Sequence, residues 1–407
     1  MDDRSSRPHG APGGASPDDR GAARGRAALF GPAADGQSPE PDLTGPPVPS
    51  GVLARAIATL DPGYFAVVMA SGIVSIGTDL LGYQLLSRVI LGVTVVAFVG
   101  LVLAYVARAV WFMPFVRHSL QDPTVAMAYF TFVAGADVLG VRLVMAGHAA
   151  VTAGLATAAG LAWVVLNYGL PWSIVARAHR PVFRDFNGTW FIWVVGTQSL
   201  AIAAVALVGA THDTALRQSL AEGAVCLWGV GVVLYLVLVV IILLRLMVVE
   251  VTPGEMGPAY WIAMGATAIS VRAAAGLLAL PSRVGGFPVG ELHSFVEGAS
   301  VVLWSFGTWW IPLLVLFGLW RHVVRRFPLS YEPRLWSMVF PLGMYTVASY
   351  SLGEAGGFGF MVDIARVWVF VGLVAWAGVL ALMLAALGRV LAGRRRASTG
   401  RGRYRAP

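Results

Sequence analysis

Between Asp61 and Arg389 the chain repeats one pattern: a long run of apolar residues, then a short polar break. Ten such runs fall at 62–82, 88–113, 123–146, 149–172, 188–210, 223–248, 258–280, 294–321, 333–353 and 361–388. Each is long enough to cross a bilayer as a helix rising roughly 1.5 Å per residue. The odd-numbered runs open alike. Asp61-Pro62-Gly63-Tyr64-Phe65 begins the first, Asp122-Pro123 with Tyr129-Phe130 the third, and Asn187-Gly188-Thr189-Trp190-Phe191 the fifth. Gly257-Pro258-Ala259-Tyr260-Trp261 begins the seventh and Glu332-Pro333-Arg334-Leu335-Trp336 the ninth. A capping residue followed by proline suits a helix start, because the missing N–H would have had no intrahelical acceptor there. The aromatic residues that follow suit the headgroup region. The starts at 62, 123, 188, 258 and 333 lie 61, 65, 70 and 75 residues apart, and each interval holds two crossings. The pattern predicts an all-α integral membrane protein of ten helices, built as five tandem hairpins entering from one face.

Odd and even runs differ in kind. The even runs are apolar throughout, as in Val93–Leu103, Val230–Leu244, Trp309–Leu319 and Val367–Leu384. The odd runs carry small and hydroxyl residues at mid-length. Helices apolar all round suit lipid, whereas small and hydroxyl residues suit close packing or a wet lumen. The simplest arrangement is an inner pore ring of five odd helices within an outer ring of five even ones. Candidate pore-lining residues are then Ser75, Thr131, Thr197, Thr267, Ser270, Arg272 and Ser337. Tight helix packing is the alternative use of the same residues.

Composition agrees with a polytopic membrane protein: 57% of residues are hydrophobic and 12% charged, against roughly 25% charged in soluble domains. A lone cysteine, Cys226, excludes an intramolecular disulfide. The net charge of +8 comes from arginines at membrane-flanking positions and in the tail, which argues for orientation in the bilayer and against nucleic acid. Breaks after the second, fourth, sixth and eighth runs hold Arg108, Arg117, Arg177, Arg180, Arg184, Arg245, Arg321, Arg325, Arg326 and Arg334. The opposite side holds Arg88, Arg142, Arg217, Arg283 and Arg366. Both termini are therefore expected in the cytoplasm. The domains expected are a disordered N-terminal tail (1–60), a transport domain (61–388) and a basic C-terminal tail (389–407). The N-terminal tail lacks an apolar run of signal-peptide length, so no cleaved export signal is expected.

Charges inside spans are costly and mark candidate sites. Asp137 and Arg272 both lie roughly 20 Å from the helix starts, counted by the helical rise. Arg272 either faces the lumen, where it would attract anions, or pairs with Asp137, or snorkels outward. Asp79, Glu354, Asp363 and Arg366 are expected in solvent near the helix ends, with His148 and His179 as interfacial anchors. In the ninth run Pro341 removes the donor for the Ser337 carbonyl, which predicts a kink and a wet cavity beside Phe340. The seven histidines form no metal spacing, no acid pair shares a helix face, and no glycine-rich phosphate loop occurs. No enzyme, metal or cofactor is expected; a membrane sensor or enzyme using the central cavity as a ligand site is the alternative class.

Three motifs carry a family resemblance: Pro62-Gly63-Tyr64-Phe65 with Gly72-Ile73-Val74-Ser75, Phe130-Thr131-Phe132-Val133-Ala134-Gly135, and Trp336 with Phe340-Pro341. Over about residues 60–388 the chain resembles the tellurite-resistance and C4-dicarboxylate transporter family, which includes slow anion channels, malate permeases and sulfite exporters. The resemblance implies a plasma-membrane homotrimer whose protomers each hold a central pore, plugged by a phenylalanine of the ninth helix. That position matches Phe340, beside Pro341. The expected cargo is a small anion (a C4-dicarboxylate such as malate, sulfite or an inorganic anion), moved by a channel or uniporter. A proton-coupled dicarboxylate carrier is the alternative.

Overall fold

The computed structural model describes residues 46–176 and 183–401. The bulk of the expected N-terminal tail (1–45), the loop arginines Arg177 and Arg180, and His179 lie outside the described residues. Ten long helices follow one another: α1 (Ala66–Leu80), α2 (Gln84–Trp111), α3 (Phe130–Met145), α4 (Ala149–Val175) and α5 (Phe191–Ala210). Then come α6 (Thr214–Val248), α7 (Ile262–Leu278), α8 (His293–Leu319), α9 (Trp336–Gly356) and α10 (Gly359–Arg401). Nine helices among the described residues are long and apolar enough to cross a membrane. α9 is not among them, although it has 21 residues; serines, glycines and Glu354 dilute its apolar character.

A short 3₁₀ turn precedes each odd helix: Pro62–Phe65, Met127–Tyr129, Gly188–Trp190, Pro258–Trp261 and Pro333–Leu335. Local chemistry sets these turns. The Asp61 side chain accepts from Gly63 N at 2.7 Å and Asn187 from Thr189 N at 2.9 Å, each satisfying an orphan donor. The third start differs from the expected one. Pro123–Ala126 forms its own short helical turn, and the long helix begins only after Met127–Tyr129. The sixth helix starts earlier than its apolar run, because Asp213 caps Leu216 N at 2.9 Å and adds a polar first turn.

The odd helices pack in a closed circuit, α1 on α3, α3 on α5, α5 on α7, α7 on α9 and α9 back on α1. Each even helix packs on the odd helix before it. Burial follows this division: 72–83% of the apolar window is buried in α1, α3, α5 and α7 with their turns, against 11–33% in the even helices. The even helices thus turn bare aliphatic surface outward, as lipid-facing helices do.

Even helices also reach across to the next odd helix through tryptophan. Trp163 of α4 donates to Thr197 of α5 at 2.9 Å, and Trp228 of α6 to the Ser270 carbonyl of α7 at 3.1 Å. Trp304 of α8 donates to Ser349 of α9 at 2.8 Å, and Trp376 of α10 to Ser71 of α1 at 2.9 Å. On α2 the equivalent contact is apolar: Phe98 stacks on Phe132 of α3.

Four of the arginines counted for orientation are buried, Arg142 on α3 and three at the ends of even helices. Arg108 donates to the Ala58 carbonyl at 3.1 Å and to Tyr129 at 3.1 Å; Arg245 donates to Tyr260 at 2.7 Å. Arg321 donates to the Met256 carbonyl at 3.0 Å and contacts Glu332 at 3.4 Å. At the C-terminal ends of even helices, where cations are favoured, they bind neighbouring segments together. Ala58 belongs to a helix at Val52–Ala58, so the last part of the expected 1–60 tail is helical and anchored. At the other end, α10 continues through the start of the expected C-terminal tail to Arg401.

Candidate functional site

Three cavities are bordered by residues of the odd helices. At one end the five helix openings converge on a cavity of about 30 Å³. Asp61 and Gly63, Val125 and Ala128, Thr189 and Ile192, Ala259, and Pro333, Arg334 and Ser337 line it. The N-terminal ends of five helices, each carrying partial positive charge, therefore face one space.

Deeper in the ring all five odd helices enclose a second cavity of about 20 Å³, room for roughly one water. Its walls are Ile73 and Ile76 of α1, Val138 and Val141 of α3, Ile202 of α5, and Met344 and Val347 of α9. Three polar side chains interrupt this aliphatic lining: Asp137, Ser199 and Arg272. Ser199 donates to Asp137 Oδ2 at 2.7 Å, while Asp137 Oδ1 is buried without a partner. Arg272 forms no ion pair or hydrogen bond among the described residues, so the Asp137–Arg272 pair considered from sequence is not made. Arg272 also lines a third space, an open funnel of about 660 Å³ formed by the C-terminal ends of α5, α7 and α9. Arg217, Tyr350 and Glu354 share that funnel.

On α9, Phe340 falls between residues that line the first two cavities, and it lines neither of them. Ser337, Phe340, Met344 and Val347 recur at helical spacing on one face of α9. Ser337 lines the first cavity, and Met344 and Val347 line the second. Phe340 lies between them and is 1% exposed, within a rise of roughly 10 Å from Ser337 to Met344. α9 stays helical through Pro341, and the carbonyl that Pro341 leaves without a donor belongs to Ser337, at the cavity wall. Pro341 rests against Gly265 of α7, where a Cβ would come within 2.8 Å of its Cγ and 3.3 Å of its Cα. Only glycine permits that approach.

Of the pore-lining candidates, Arg272 and Ser337 line the cavities described above, and the other hydroxyls are bonded elsewhere. Ser75 contacts the Ser87 carbonyl at 2.8 Å and accepts from Arg142 at 3.1 Å, on the side of α2. Thr131 lies 2.6 Å from the Ala128 carbonyl and 3.0 Å from that of Pro62, tying two helix openings together. Thr197 meets Trp163 of α4, and Thr267 faces Gly307 of α8, where a Cβ would collide with it. Ser270 donates to the Ala266 carbonyl at 2.7 Å. These hydroxyls bond their own backbone or neighbouring helices, as polar groups away from water must. Asp79 also departs from expectation: it pairs with buried Arg142 at 2.9 Å. Asp363 and Arg366 form an exposed pair at 2.9 Å, and His148 is exposed. Sequence reasoning missed the aliphatic lining, because isoleucine and valine in a membrane helix carry no signal of which way they face.

A family model described as voltage-dependent anion channel matches residues 59–384, nearly all of the helical part. The chain belongs to that anion-channel family. Relatives agree. An uncharacterized membrane protein of Mycobacterium tuberculosis is 43% identical over 144 residues, covering 35% of this chain and 71% of the relative. Two uncharacterized transporters of Methanocaldococcus jannaschii are 26% and 22% identical. The first covers 71% of this chain and 82% of itself, the second 74% and 87%. Membership in the anion-channel family makes this a multi-pass membrane protein for anion transport, and the family is one of channels and transporters rather than enzymes.

Proposed function

We propose that the protein moves small anions along the axis of the inner ring as a channel or uniporter, with Phe340 and Pro341 as its gate. All ten helices cross the plasma membrane as five hairpins, with both termini in the cytoplasm and three protomers per assembly. What supports the reading is the position of Phe340 on α9, between Ser337 at the first cavity and Met344 at the second. Arg272 supports it, since an unpaired guanidinium at the mouth of an apolar lumen favours anions over cations. Malate, sulfite and inorganic anions are the candidate cargo. The test is flux from liposomes holding purified protein, with malate, sulfite, nitrate and chloride compared. Anion flux that generates a membrane potential is expected; an inserted, folded protein that passes none of these anions would contradict the reading.

Asp137 favours a second mechanism, a carrier that couples a dicarboxylate to a proton, because a carboxylate with one unmet oxygen lines the lumen. An imposed proton gradient distinguishes the two: it drives uptake against a concentration gradient only in a coupled carrier.

A further inference from the structure

Two guanidinium groups line the open funnel without partners. Arg217, near the start of α6, has its Nε buried with no acceptor, and Arg272 of α7 makes no ion pair or hydrogen bond among the described residues. Both residues are partly exposed, as groups facing a wet space are. Arg272 is turned toward the funnel end of its helix. Its Nη1 lies beside Gly276, itself a funnel residue, where a Cβ would come within 3.2 Å of that nitrogen. Glu354 is the third charged side chain of the funnel and is exposed. The three leave a net charge of one positive. Arg272 lies more than a turn before Leu278, where α7 ends, so the partial negative charge of the helix end, which fades within a turn, does not cancel it.

We propose that the funnel binds a short-chain monocarboxylate, held at its carboxylate by Arg217 and Arg272 and at its hydrocarbon end by the wall. A carboxylate offers about four lone-pair sites, which suits two planar guanidinium forks better than a halide does. A monoanion neutralises the net charge of the funnel, whereas a dianion leaves an excess beside Glu354. Val205, Val208 and Leu280 supply aliphatic surface for a few carbons. At about 660 Å³ the funnel is of the size that takes small organic ligands. Binding here goes beyond the transport reading, because it does not require passage through the ring.

Melting of the purified full-length protein in detergent, titrated with sodium butyrate, acetate, succinate or chloride, measures the affinity of each, since a ligand of the folded state raises the melting temperature with occupancy. Butyrate is expected to bind at least about tenfold more tightly than chloride, with acetate between them and succinate weaker than butyrate. Arg217→Gln should weaken butyrate at least about tenfold, the loss of a charged hydrogen bond. Arg217→Lys keeps the charge without the fork, so it should retain chloride binding and lose most of the preference for carboxylates. Butyrate no better than chloride in the wild type, or butyrate binding unchanged in Arg217→Gln, overturns the inference. If Arg217→Gln fails to fold, the wild-type series and Arg217→Lys still decide. Butyrate binding that Arg217→Gln weakens, in a protein that passes no anion through liposomes, supports the site and contradicts only the transport reading.

Discussion

The indole N–H of Trp376, on the last helix, donates to the hydroxyl of Ser71, on the first, at 2.9 Å. With the packing of α9 on α1, this bond closes a circuit that the chain otherwise builds one hairpin at a time. The same donor recurs on α4, α6 and α8, each time toward the next odd helix. Such bonds in membranes are worth on average about 0.6 kcal/mol and at most roughly 1.7 kcal/mol. Trp376→Phe should therefore lower stability by about that amount and leave anion selectivity unchanged. Thermal melting in detergent, compared with Ser71→Ala and the double variant, measures it. The double variant should cost no more than the larger single change.

Asp79 and Arg142 make a different kind of contact. Arg142 is 4% exposed and donates to Asp79 at 2.9 Å and to Ser87 at 2.9 Å. Removing one partner of a buried pair leaves an uncompensated charge and costs roughly 3–5 kcal/mol. Asp79→Ala should therefore destabilise the protein severely, and the double change Asp79→Leu with Arg142→Met should recover most of the loss. The cluster lies off the axis, so the double variant's flux per folded molecule should match wild type. A single variant that melts like wild type would contradict this account of the cluster.

The helices were legible in sequence because each depends on features within one segment: apolar length, a capping residue, a proline. Arg272 was legible as a lone charge in an apolar run. The facing of the hydroxyls was not, because Thr197 and Ser349 find their partners in tryptophans of other helices. Nor was the middle cavity, whose lining is as aliphatic as a lipid-facing surface. Asp137 was visible as a buried charge, but its bond to Ser199 depends on how α3 and α5 pack. Asp79 near a helix end reads as solvated until Arg142 is placed beside it.

Arg272 lies at the junction of the middle cavity and the funnel, without a partner of opposite charge among the described residues. Arg272→Gln should reduce anion conductance and move the reversal potential under a salt gradient toward zero. Stability should hold, because no carboxylate loses a partner. An unchanged anion preference would remove Arg272 from the selectivity mechanism, and a large fall in melting temperature would show that it pairs after all.

Gly265 allows Pro341 to press against α7. Gly265→Ala forces the two helices apart, and overpacking of this kind costs roughly 1–3 kcal/mol. Because Phe340 precedes Pro341, the same change should alter flux, which Trp376→Phe should not. Both variants measured in one liposome assay check the contrast.

The central claim is that Phe340 blocks the axis between two cavities, and Phe340→Ala tests it most directly. Truncating a buried phenylalanine costs roughly 3–5 kcal/mol in soluble cores, so melting must be recorded beside flux. The account predicts a variant that still folds and trimerises and passes anions through liposomes faster than wild type. A folded Phe340→Ala protein with unchanged or lower anion flux would contradict it.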